Sequence, residues 1–290
     1  MNTINSNGPD IRFTSDITVR LIQQCGNDAT IAGAAWVSTT GIEASTRAAE
    51  DQAKVRWLIR YLMQHRHGSP FEHGMMTMYV HAPIFVWREW HRHRIGFAYT
   101  EYGSPEGDGT TGMSFNEESA RYKVLDPVFY IPPSDRPMVK VENWKPGRPK
   151  FLTLMDAVAV ELASVAGLSP SEREEQYDTR LESKYREIVE DMKAGYAEEY
   201  PRYLRQLARD LDPGLARDNL PFGIYSACWV TANPRSLMHF LSLRTHEPTA
   251  AHVSYPLYEI DVAARQVESL FAKYWPETHA AWVECGRVAP

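Results

Sequence analysis

The residues best suited to chemistry crowd into one heptapeptide, Arg88-Glu89-Trp90-His91-Arg92-His93-Arg94, directly after the apolar run Pro83-Ile84-Phe85-Val86-Trp87. The whole chain is acidic, with a formal net charge of -6 and a pI near 5.9. A positive cluster in such a chain points to a small anion such as a phosphate, because guanidinium forks match phosphate oxygens in a bidentate way. A nucleic-acid module would instead show a basic stripe and a high pI. Arg217, Asn233, Arg235 and Arg244 lie in or beside apolar stretches, where an arginine meets either an acid or an anionic ligand. The segment Ser114-Phe115-Asn116-Glu117-Glu118-Ser119-Ala120-Arg121-Tyr122 has two readings. Its serine, backbone amides and Arg121 would hold a phosphate, or Ser114 and Glu117 form a capping box at a helix start.

Two other patterns are set aside. His65-x-His67 and His91-x-His93, with Glu72 and His73, suggest a metal. The interleaved Arg66, Arg92 and Arg94 oppose a divalent cation, and no H-E-x-x-H is present, so no metal is expected. Gly107-Asp108-Gly109-Thr110-Thr111-Gly112 matches G-x-G-x-x-G. No apolar helix follows it, and Glu106 and Asp108 would repel a pyrophosphate.

The elements that must position these groups follow from periodicity. Residues 1–15 read as a loose tail and Ile17 to Ile22 as a short strand. Gly26-Asn27-Asp28 reads as a turn and N-cap before an Ala-rich helix ending near Ser38. Residues 44–66 are helical, with Val55, Leu58, Ile59 and Leu62 on one face, and Gly68-Ser69-Pro70 ends that helix. Residues 74–82 form the best strand candidate. Pro83 then opens a helix to about Arg94, placing Arg88 and Arg92 on one face. Residues 96–113 read as a surface loop. Residues 132–213 read as an extended linker followed by helices over 151–166 and 171–210, the second charged and solvent-facing. Residues 236–243 favour helix, and 256–275 an amphipathic helix. With no repeat and no composition break, residues 1–290 read as a single domain of α+β class.

The bulk numbers fit an ordinary globular protein, with 43% hydrophobic and 23% charged residues. No apolar run is long enough for a membrane span, and the N-terminus lacks the features of a secretory signal. Three scattered cysteines, Cys25, Cys228 and Cys285, fit reduced thiols and a cytoplasmic location, with Cys228 in the core.

Taken together, these residues resemble the flavin-dependent thymidylate synthases, over roughly residues 16–131 and 214–265. Gly26-Asn27-Asp28 with the following helix, and His67-Gly68-Ser69-Pro70-Phe71-Glu72-His73, look like two of the family's blocks. Ala82 to Val86, then Arg92-His93-Arg94, then Ser119-x-Arg121 look like its R-H-R…S-x-R signature. Leu220-Pro221, Asn233-Pro234-Arg235, His239-Phe240-Leu241 and Leu243-Arg244 look like its C-terminal block.

The resemblance implies a central antiparallel sheet with flanking helices, in a homotetramer whose active sites lie between subunits. It implies methylation of dUMP to dTMP with FAD as cofactor, NADPH as reductant and methylenetetrahydrofolate as carbon donor, without a cysteine nucleophile. Carried over by position, Ser69, Arg92, His93, Arg94, Glu117, Asn233, Arg235 and His239 contact FAD. His67 and Glu72 lie on the flavin or folate side. Glu89, Arg92, Glu118, Ser119, Ala120 and Arg121 bind dUMP, with Arg217 on its phosphate from another subunit. Arg244 faces the pyrimidine as the catalytic residue. A guanidinium that keeps its proton stabilises an anionic, enolate-like ring. Ser119 has no adjacent general base to make it a nucleophile.

The chain departs from the family pattern in a long spacer, residues 95–118, between R-H-R and Ser119. It also has an extended Thr245 to Tyr255 stretch containing His246 and His252, either of which could stand at the flavin. These departures admit another pyrimidine nucleotide, such as dCMP, methylated or hydroxymethylated, since cytosine reverses the donor and acceptor of uracil's N3 and O4. A site that binds nucleotide without turnover is a further alternative.

Overall fold

The computed structural model describes residues 10–44, 51–93, 113–142 and 150–290. In chain order the elements are β1 (Arg12–Thr14), β2 (Thr18–Cys25), α1 (Asp28–Thr40), α2 (Gln52–Gln64), β3 (Met75–Pro83), α3 (Ile84–Trp90), β4 (Met113–Glu117) and β5 (Val128–Tyr130). They continue with β6 (Val139–Lys140), β7 (Phe151–Leu152), α4 (Leu154–Ser164), α5 (Pro170–Leu207), α6 (Pro213–Ala216), β8 (Tyr225–Ala232), α7 (Pro234–Arg244), α8 (Tyr258–Tyr274) and α9 (Pro276–Glu284). Contacts group them into two compact units, Ile17–Glu118 with Ser226–Pro290, and Met1–Asp16 with Ser119–Tyr225. Among the described residues no helix is long and apolar enough to cross a membrane.

The larger unit is built on a four-stranded sheet in the order β2-β3-β8-β4, with β2/β3 and β4/β8 antiparallel. The fold is thus mixed helix and sheet around an antiparallel sheet. Strand β3 buries one face completely and covers the other in part, Met75 being exposed and Tyr79 and His81 half-buried there. Met76, Met78, Val80 and Ala82 are fully buried, and Thr77 is buried on the other face, its hydroxyl 2.9 Å from that of Thr231. The face of α2 read from periodicity is the buried one, with Val55, Leu58, Ile59 and Leu62 in the core. Cys228 is also in the core, and burial pushes its thiol up to about 12.

Asn27 caps α1 with a complete capping box. Asp28 is buried and turns away from its own helix. Its carboxylate accepts from Glu277 N (2.9 Å), Thr278 N (3.0 Å) and Thr278 Oγ1 (2.7 Å), closing the start of α9. Gly26 has φ +83°, and a Cβ there would lie 3.0 Å from the Cα of Gly74, so the β2 and β3 ends meet only through glycine.

Several expectations are corrected. Helix α3 stops at Trp90 rather than Arg94, so Arg88 and Arg92 do not share a helix face. The chain tightens through His91 N to Trp87 O (2.9 Å) and His93 N to Trp90 O (3.0 Å), the usual way a helix end closes. Ser114 and Glu117 belong to strand β4, paired with Thr231 and Cys228 of β8, and cap no helix. The alternation of Met113, Phe115 and Glu117 on the less exposed face of the strand decides this. Arg94 and nearly all of the 96–113 loop lie outside the described residues.

In the smaller unit the supposed tail contributes β1, which pairs in parallel with β5; residues 1–9 lie outside the described residues. The 132–150 stretch is no bare linker, because β6 and β7 form a short antiparallel ribbon. Helix α5 is not simply solvent-facing. Its second half buries Val189, Tyr196, Tyr200 and Tyr203. Tyr196 stacks on Phe129 with centroids 4.6 Å apart, and the Tyr200 hydroxyl donates to Leu125 O at 2.7 Å.

Candidate active site

Helix α7 carries three of the arginines and histidines singled out above: Arg235, His239 and Arg244. Asn233 starts it, its Oδ1 accepting from Ser236 N at 2.8 Å, so this side chain is committed at least partly to capping. Leu237, Met238, Phe240 and Leu241 bury the opposite stripe and fix the helix on the core.

At the C-terminal end of α7, the Arg244 guanidinium is gripped by the end of α3. Its Nε donates to His93 Nε2 at 2.9 Å, its Nη2 donates to Glu89 O at 3.1 Å, and its Nη1 lies 3.1 Å from Glu89 Oε2. The side chain of Arg244 is only 18% exposed. His93 is buried, and its ring sits edge-on to Phe240 with centroids 5.0 Å apart. Phe240 in turn stacks on Trp90 at 4.5 Å. Burial, then the adjacent Arg244 and His239 charges, lower the His93 pKa to about 4, so the imidazole is neutral at physiological pH and accepts a hydrogen bond.

A second cluster gathers at the start of α7. Arg235 pairs with Glu72 and donates from Nε to Pro290 O at 3.0 Å. A Cβ on residue 68 would lie 2.6 Å from Arg235 Cζ, so the glycine lets the guanidinium lie across the His67 to Glu72 turn. Arg66, at φ 57° just past α2, donates to Ala289 O at 3.3 Å. Burial first, then Arg235 and Arg66, lower the pKa of His239, whose Nε2 is buried without a hydrogen-bond partner among the described residues. Neither Arg66 nor the 289–290 segment carries a sequence signal for this role; proximity in the fold alone brings them here.

The remaining carried-over residues are more dispersed. Ser69 and His67 are exposed on the turn, His67 stacking with Tyr61 at 6.2 Å. Arg92 is exposed just beyond α3. Glu117 accepts from Ser226 Oγ at 2.6 Å, and Glu118 accepts from Ala227 N at 3.2 Å. In the smaller unit, Ser119 Oγ accepts from Arg121 Nε at 3.3 Å, and Ala120 is buried. Arg121 helps line a small cavity of about 140 Å³ with Ala120, Tyr122, Lys123, Tyr203 and Pro213. Arg217 Nε donates to Gly214 O at 3.2 Å, and a Cβ on Gly214 would lie 3.7 Å from Arg121 Cγ, so both exposed arginines flank this glycine. His246 is held within its own loop by Ser254 O (2.8 Å) and Tyr255, while His252 is exposed. Among the described residues no three His, Cys, Asp or Glu side chains gather as a metal site would require.

Residues 20–277 match the family described as thymidylate synthase complementing protein. A flavin-dependent thymidylate synthase of Streptomyces coelicolor is 38% identical over 290 residues, covering all of both chains. One from Tropheryma whipplei is 39% identical over 280 residues, covering 96% of this chain and 97% of the relative. A crystal structure of a UMP/dUMP methylase PolB from Streptomyces cacaoi, bound with 5-Br dUMP, is 38% identical. It superposes with a TM-score of 0.74 over 97% of this chain and 100% of that one.

Proposed function

This chain belongs to the flavin-dependent thymidylate synthase family, and from that membership we propose that it methylates dUMP to dTMP. The carbon would come from methylenetetrahydrofolate, and the reducing equivalents from NADPH through FAD. Arg244 carries the reading. It is a largely buried guanidinium whose Nε and Nη2 are engaged by His93 and the Glu89 backbone and whose Nη1 faces the half-buried Glu89 carboxylate. Of its five N–H groups, those not so engaged are available to a pyrimidine. Arginine keeps its proton at neutral pH, so it stabilises negative charge building on the ring, and a water-poor site strengthens that attraction.

The residues at the other end of α7 fit a bound flavin. His239 Nε2 is a buried polar atom lacking a partner among the described residues, and Arg235 and Arg66 stand beside it as cations. This combination suits an anionic cofactor that also accepts or donates a hydrogen bond. When bound, FAD would supply hydride transfer. Arg235, His239 and Glu72 would hold it, with Ser69, His67, Asn233, Glu117, His93, Arg92 and Arg94 completing the contacts. Glu89, Glu118, Ser119, Ala120 and Arg121 would hold the nucleotide. Arg217 of a neighbouring subunit in a homotetramer would meet its phosphate. The exposure of Arg121 and of Arg217 supports a phosphate-binding role for each.

The PolB likeness favours a second reading, in which UMP is accepted beside or instead of dUMP. Incubating the protein with FAD, NADPH and methylenetetrahydrofolate, and offering dUMP, UMP and dCMP separately, tests both readings when the products are weighed by mass spectrometry. One methyl gained on dUMP supports the thymidylate synthase, and the same gain on UMP supports the second reading. A methyl or hydroxymethyl gain confined to dCMP would overturn both.

A further inference from the structure

We infer that His93 is a positioning residue for Arg244, a neutral acceptor that sets the direction of the guanidinium without cancelling its charge. The inference rests on the reading that Arg244 meets the pyrimidine, and it assigns His93 a task separate from any flavin contact. The arginine Nε–H points at His93 Nε2 over 2.9 Å, and the Glu89 carbonyl takes an Nη2 hydrogen at 3.1 Å. Those two bonds fix both the plane and the rotation of the fork. Neither acceptor carries a formal charge, so neither cancels the arginine's positive potential; the half-buried Glu89 carboxylate, 3.1 Å from Nη1, offsets part of it.

An imidazole serves this purpose only while its Nε2 is unprotonated, which places its proton on Nδ1. The surroundings enforce that state. His93 is 8% exposed, and the cation it serves lies against it. Burial together with the Arg244 and His239 charges holds its pKa near 4. The ring itself is fixed by Phe240, which Trp90 backs in turn, and the His93 backbone is held by Trp90 O at 3.0 Å. The hydrogen bond from Arg244 to His93 therefore joins rigidly seated groups, and the contacts to Glu89 lie beside it.

Glutamine and asparagine variants separate this role from simple space-filling, because a glutamine amide oxygen reaches the place of Nε2 while asparagine reaches only that of Nδ1. The FAD-loaded protein is assayed at saturating dUMP, with bound flavin measured by absorbance in each variant. His93→Gln is expected to keep kcat within about tenfold, and His93→Asn to lose about 100-fold, as misplaced catalytic groups do. On an Arg244→Lys background, where no Nε fork remains, His93→Asn should lower kcat no further. Equal losses for the Gln and Asn variants would overturn the inference. So would additive losses on the Arg244→Lys background, or a kcat restored by excess FAD. Near-normal turnover by Arg244→Ala would instead sink the underlying assignment of Arg244, whatever the His93 variants do.

Discussion

Two arginines meet the end of α7, the partly buried Arg244 and the buried Arg287, and they are treated in different ways. Arg244 faces His93 and the Glu89 backbone, with a carboxylate only at the half-exposed margin. Arg287 is 9% exposed and doubly bonded to Glu268, with Nη1–Oε1 at 2.8 Å and Nη2–Oε2 at 2.7 Å. It also lies 4.2 Å over the Trp282 ring and donates to Thr245 Oγ1 at 2.9 Å. Its own carbonyl accepts from Ser242 Oγ at 2.6 Å. Arg287 thus holds residues 242 and 245, on either side of Arg244, from behind. One cation is held in a two-bonded pair with a largely buried carboxylate and serves the frame, while the other meets a neutral imidazole, a carbonyl and a single longer contact to a half-exposed carboxylate. A buried charge without a full counter-charge costs stability, and a site that must attract a developing anion is where such a cost is tolerated.

The comparison is most sharply broken by Arg244→Ala. Turnover should fall by about 10³-fold or more, while the thermal midpoint stays close to that of the parent protein. A large drop in midpoint would mean that Arg244 is part of the frame after all. Arg287→Ala should do the reverse, destabilising the fold by about 3–5 kcal/mol because Glu268 is left buried and without its guanidinium. Chemical denaturation would measure this, and an unchanged midpoint would remove the contrast.

The acid dependence is a smaller effect. Burial raises the Glu268 pKa, but hydrogen bonds from His279 and Arg287 and their charges outweigh it and bring the carboxyl to about 2. A carboxylate with a depressed folded pKa contributes stability that is complete above its unfolded value and is lost as pH falls through the folded one. The loss from this group should therefore run from about pH 4.5 down to about pH 2 and total roughly 3 kcal/mol. Glu268→Gln should flatten the stability profile across that window; an unchanged slope would show that the pair is not what holds Arg287.

What was legible in the sequence depended on how local its cause was. The cap at Asn27, the buried face of α2, the strand over β3 and the helical choice for residues 236–243 all rest on short-range periodicity or capping chemistry, and the structure contains them. The arginines and histidines of Arg92-His93-Arg94 and Asn233-Pro234-Arg235 stand out by type beside apolar runs, but it is the family resemblance that assigns them to a site. The end of α3 was misjudged because nothing in Trp90-His91-Arg92-His93 is a helix breaker; the turn serves to bring His93 to a helix that begins 141 residues later, at Pro234. Asp28 read as part of a cap, yet its carboxylate closes a helix about 250 positions away, which no local pattern encodes. The same holds for Arg287, whose partners come from α8, α9 and the end of α7. The buried tyrosines of α5 are masked in the sequence because charges dominate that helix's composition and its tyrosines, Tyr177 and Tyr185 included, are spread along it.

Cys228 has a practical consequence at the bench. Nucleophilic attack on alkylating reagents requires the thiolate, and this thiol is both buried and held protonated to about pH 12. Cys25, by contrast, lies exposed at the end of β2. Iodoacetamide or a maleimide dye at neutral pH should therefore mark Cys25 and spare Cys228, providing a spectroscopic handle on the edge of the main sheet without disturbing its centre.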